Sequence, residues 1–136
     1  MLTTNYLGLE LTSPLVASAG PLSQTVDGVR SLAASGVGAV VMYSLFEEQL
    51  RTEVNREIAL VEAHEESYAE ATSYFPETVF PSDQSMAHEY LTLVEQSAKA
   101  IDVPLIASLN GADLGGWTEF AGQLQDAGAA ALELNI

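Results

Sequence analysis

Apolar residues fall along this chain in two spacings, and the alternation between them is regular enough to parse. Compact runs at 14–18 ("PLVAS"), 38–44 ("GAVVMYS"), 103–110 ("VPLIASLN") and 129–135 ("AAALELN") read as buried strands. Between them lie stretches with apolar residues three and four apart, the period of an amphipathic helix. Val26, Val29 and Leu32 define the first, with Thr25 as its N-cap and Gly36 as its stop. Residues 46–72 read as mostly helical, and the two prolines of "YFPETVFPSD" (74–83) break that pattern into a loop. The next helix is expected to begin near Ser82–Ser85 and to bury Ala87, Leu91, Val94, Ala98 and Ile101. "GGWTEFAGQLQDAG" supplies a last helix with a glycine stop. Ahead of all this, residues 2–12 alternate loosely around Gly8 and suggest a β-hairpin.

A weak internal repeat supports this parse. "SLAASGVGAVVMYS" (31–44) lines up with "QLQDAGAAALELNI" (123–136), so that Leu32, Gly36 and Ala39 match Leu124, Gly128 and Ala131. Each glycine is expected to end a helix in the left-handed region. Strands alternating with helices imply parallel pairing, and continuous apolar strands imply a sheet covered on both faces. An open doubly wound sheet and a closed barrel both satisfy that grammar. The first strand–helix turn, "SAGPLS", lacks the spaced glycines of a dinucleotide fold, and the hairpin suits a plug over a barrel's bottom. The expected fold is therefore α/β: a leading β-hairpin and about four β/α units, the amino-terminal half of a TIM (β/α)8 barrel, as one partial domain over residues 1–136. A complete barrel takes about 250 residues, so the chain reads as cut after strand four.

Charge narrows the partners. Arg30, Arg51, Arg56 and Lys99 stand against nineteen carboxylates, for a net charge of −15. Such a surface repels phosphate backbones, so nucleic acid is not an expected partner. The densest acidic stretch, 47–70, reads as a solvated helix face; a salt-adapted source or a cation site would also produce it. With no cysteine there is no disulfide framework, thiolate metal site or thiol nucleophile. The apolar runs fall far short of the roughly 20 residues of a membrane helix, and no secretory leader is visible. A soluble cytoplasmic protein with no membrane partner is the expectation.

Barrel sites form at the carboxyl ends of the strands. Here those tips are Ser18-Ala19-Gly20, Tyr43-Ser44, Ser108-Leu109-Asn110 and Glu133-Leu134-Asn135. Strand alternation turns Glu133 and Asn135 to one face and Leu134 to the other. Hydroxyls, carboxamides and small residues suit a flat ring with a polar edge. The same residue types also satisfy turns and caps with no ligand at all. His64 and His88 lack a partner at metal-ligand spacing and read as surface residues, so no metal site is expected. "GADLGG" lacks the lysine of a phosphate loop, Trp117 reads as a packing residue, and the adjacent Glu47 and Glu48 do not face each other on a helix.

The order "SPLVASAG", "GAVVMYSLFEEQL", "YFPE", "VPLIASLNG", "GW", "AGAAALELNI" resembles the amino-terminal half of a dihydroorotate dehydrogenase-like flavoprotein, in its divergent branch, over essentially the whole chain. The resemblance implies the barrel fold, FMN as cofactor, and hydride transfer between FMN and dihydroorotate or a related small molecule, in pyrimidine biosynthesis. It implies Ser18, Ala19 and Gly20 along the flavin ring, Ser44 at its polar edge, Asn110 near it from the third strand, and Asn135 reaching flavin and substrate together. A homodimer is the implied assembly of the full-length protein.

Three departures stand beside the resemblance. Tyr43 replaces a lysine, the substrate loop after strand two is replaced by "EATSYFPETVF", and the family's base and phosphate anchor belong to later segments. No catalytic residue can therefore be named, and the 136-residue piece is expected to be inactive alone and to bind FMN weakly or not at all. Two other readings are a non-catalytic half-barrel that associates with another chain, and an FMN barrel acting on another substrate.

Overall fold

A computed structural model describes residues 2–49, 52, 56, 59–60, 86–111 and 117–136. The acidic stretch beyond residue 60, His64, the "YFPETVFPSD" loop and most of "GADLGG" lie outside them. The chain opens with an antiparallel hairpin, β1 (Thr4–Tyr6) and β2 (Leu9–Leu11), turning through Leu7 and Gly8, both at positive φ. Strand β3 (Val16–Ala17) follows, then a 3-10 turn (Pro21–Ser23) and helix α1 (Val26–Ala34). Next come β4 (Ala39–Phe46), helix α2 (Met86–Ala100), β5 (Leu105–Asn110), helix α3 (Trp117–Asp126) and β6 (Ala131–Asn135). Residues 47–49, 52, 56, 59 and 60 are helical.

The four strands β3 to β6 form one parallel sheet in chain order, β3-β4-β5-β6. Local chemistry marks the boundaries. Thr25 caps α1 by accepting the Gly28 N–H at 3.1 Å. Gly36 and Gly128 stop their helices at φ of 91° and 108°, as the repeat requires. β3 is shorter than the expected strand because the chain bends after Ala17 into the 3-10 turn, where Ser23 donates both N–H and hydroxyl to the Gly20 carbonyl. β4 runs two residues past the expected end, because Phe46 still pairs with Asn110.

Strand alternation separates two cores. Val40, Met42, Leu45, Leu105, Ala107 and Leu109 face α1, α2 and α3, which meet them with Val29, Tyr90, Val94 and Leu124. Helices α1, α2 and α3 therefore cover the same face. The other face carries Ala39, Val41, Ile106 and Ala131, and the hairpin covers it with Leu9 and Leu11. The buried stripe of α2 is Ala87, Tyr90, Val94 and Ser97, with Leu91, Ala98 and Ile101 only half-buried at its margin. The helix is rolled so that Tyr90 reaches the sheet.

That roll also buries the Ser97 hydroxyl, which makes no hydrogen bond among the described residues. An orphaned buried polar group costs about 1–3 kcal/mol. Ser97→Ala should raise stability by about 1 kcal/mol, read as a higher urea midpoint at constant m-value; an unchanged or lower midpoint would contradict the assignment.

Candidate functional site

On the hairpin face the sheet register stacks side chains into level rows. Val41, Ile106 and Ala131 form an apolar row beneath the hairpin. Ser44, Ser108 and Glu133 form the row above it, and Phe46, Asn110 and Asn135 the last, at the carboxyl ends of the strands. The face thus changes from apolar to polar within one step along three neighbouring strands.

The polar row is hydrogen-bonded across the sheet. Ser44 Oγ lies 2.8 Å from Ser108 Oγ, Ser108 Oγ donates to Glu133 Oε1 at 2.8 Å, and Asn135 Nδ2 donates to the same oxygen at 3.2 Å. A hydroxyl has one proton to give. Ser108 gives its proton to the carboxylate, so Ser44 must donate to Ser108. The chain therefore runs Ser44 to Ser108 to Glu133, and it leaves the lone pairs of Ser44 Oγ outward. Asn135 keeps its carbonyl and one N–H. The row offers mostly acceptors and one carboxylate. It suits a neutral ring with N–H groups on its edge and repels a phosphate.

Ser44 reaches this face only through a β-bulge. Val41 pairs with Ile106 and Ser44 with Ser108, so Met42 and Tyr43 together oppose Ala107. Met42 and Tyr43 both pack toward the helices, and the extra residue turns Ser44 to the hairpin side. Tyr90 occupies the interrupted ladder. Its hydroxyl accepts the Ser108 N–H at 3.0 Å and donates to the Tyr43 carbonyl at 2.9 Å, with the Ser108 carbonyl at 3.2 Å as alternative acceptor. The Tyr43 and Tyr90 rings meet edge to face, 5.2 Å between centroids. Burial pushes both phenols above their ordinary value; Glu89 adds to this at Tyr43, while the Ser108 backbone bond opposes it at Tyr90.

Of the residues singled out in the sequence, Ser44, Asn110 and Asn135 come together on this face. Ala19 packs against the apolar patch below them. Ser18 is exposed, and Gly20 serves the 3-10 turn through its carbonyl. Among the described residues nothing crowds Gly20, since an added Cβ would meet only the Ser18 carbonyl, at 4.0 Å. Tyr43 is turned away from the row, toward the helices. Glu133 and Ser108 connect the site. Tyr90 escaped the sequence reading, although a tyrosine on a helix's apolar stripe needs a hydroxyl partner and so carries a signal. His88 is exposed, and among the described residues no cluster of His, Asp and Glu is arranged to hold a metal. No helix among them is long and apolar enough to cross a membrane. No family model, curated protein or solved structure matches this chain.

Proposed function

We propose that β3 to β6 are four strands of a (β/α)8 barrel and that the protein is an FMN-dependent oxidoreductase of dihydroorotate dehydrogenase type. The carrying observation is the polar row Ser44–Ser108–Glu133, level across three strands at their carboxyl ends and seated on an apolar layer closed by the hairpin. A closed barrel gathers such tips around one mouth.

The residues fit the ring of FMN rather than its phosphate. Asn110 and Asn135 supply carboxamides that can donate to the carbonyls of a flavin's polar edge, Ser44 supplies an acceptor for its ring N–H, and no tip carries a basic residue for a phosphate. When bound, FMN would accept or give a hydride; the protein's part is to orient the ring and keep water from it. Among the described residues the site carries Glu133 and no fixed cation. This disfavours an anionic reduced flavin and bears on the choice of substrate.

In a titration with FMN at millimolar concentration, we expect amide shifts confined to residues 44–46, 108–111 and 133–136. Ser44→Ala and Asn135→Ala should each weaken binding about fivefold to tenfold, the value of one or two hydrogen bonds. Shifts confined to other parts of the surface would remove the flavin reading.

A further inference from the structure

We infer that Tyr90 is the positioning residue of this site: its hydroxyl closes the β4 bulge and thereby holds Ser44 beside Ser108, an inference whose functional half rests on the reading above. The bulge leaves one extra residue in β4 with no ladder partner in β5, and the Ser108 N–H and Tyr43 carbonyl face the gap. A buried N–H with no acceptor is costly, so a bulge in a covered sheet needs an outside group. Tyr90 supplies one from α2, fully buried, as acceptor for one strand and donor to the other. Without that oxygen, β4 can regain regular pairing by slipping one residue. Such a slip moves Ser44 to the helix face and Tyr43 to the hairpin face. The hydroxyl therefore selects which side chain reaches the ligand side, though it touches only backbone there.

The test is a cycle between Tyr90→Phe and deletion of Tyr43. The deletion leaves Met42 alone opposite Ala107, so Ser44 pairs with Ser108 in a regular ladder that needs no Tyr90 hydroxyl. In the unaltered chain, Tyr90→Phe should speed exchange of the Ser108 amide about tenfold to a hundredfold and abolish the cross-strand Ser44–Ser108 contacts in NMR spectra. In the deletion background the same change should leave both readings as they are. Val94→Ala, which weakens the same helix packing, should lower stability and spare the Ser44–Ser108 contacts.

Retained contacts and unchanged Ser108 exchange in Tyr90→Phe would overturn the inference. So would equal effects in both backgrounds, including failure to fold in both. Folding of Tyr90→Phe only in the deletion background supports it. FMN is then added to each variant. If the contacts follow the cycle but FMN shifts residues elsewhere on the surface and none of the row in the unaltered chain, the flavin reading fails while the positioning role stands.

Discussion

Gly38→Ala is expected to cost about 3 kcal/mol, at the upper end for overpacking a filled site. Gly38 lies just before β4, under the segment that leaves the hairpin. Its N–H donates to the Leu15 carbonyl at 2.7 Å. A Cβ there would overlap the Ser13 carbonyl oxygen and stand 3.0 Å from Leu11 Cβ. Backbone cannot swing aside as a flexible side chain would. The hairpin would have to lift, uncovering Leu11, Ala39, Val41 and Ile106, which are all buried now. Urea unfolding measures the loss. Gly122→Ala is the control, since nothing lies near an added Cβ and alanine favours a helix. A Gly38→Ala loss below about 1 kcal/mol would mean that the hairpin is not seated as described.

Alkaline pH should unfold the protein earlier than ordinary tyrosines would allow. The folded-state pKa of Tyr90 is raised, chiefly by burial. An unfolded tyrosine titrates near about 10. Above that pH the unfolded chain gives up a proton that the folded chain keeps, so the unfolded state binds fewer protons and stability falls as pH rises. The contribution is fully present below about pH 10 and drains at up to about 1.4 kcal/mol per pH unit until the folded form titrates as well. Tyr43 shifts in the same direction. Urea midpoints between pH 8 and pH 12 should show the fall, and Tyr90→Phe should flatten it. An equally steep fall in Tyr90→Phe would place the titrating group elsewhere.

What could be read from the residues was the local grammar. Thr25 before Val26, and the matched glycines at 36 and 128, are short-range signals with one physical meaning each, and the helices begin and stop where those signals lie. The facing of Glu133 and Asn135 follows from strand alternation and appears as a hydrogen bond between them. What could not be read was long-range. The bulge at Met42 and Tyr43 exists against Ala107 and Tyr90, which lie far along the chain, and neither residue announces an extra place in the ladder. Glycine at 28 has the same character. In a helix interior it costs about 1 kcal/mol relative to alanine, and only the Leu22 carbonyl pressed against it explains its presence. The candidate site was partly visible because its side chains sit on regular strands, whereas the register that levels them was not.

The paired stops at Gly36 and Gly128 bear on how such a sheet is assembled. Each is followed by a short bridge of two residues and an alanine that enters a strand. The same spacing from helix stop to strand thus recurs at two places in the sheet, with glycine at 38 where the second junction carries Ala130. Grafting 31–39 in place of 123–131 would ask whether the two junctions are interchangeable.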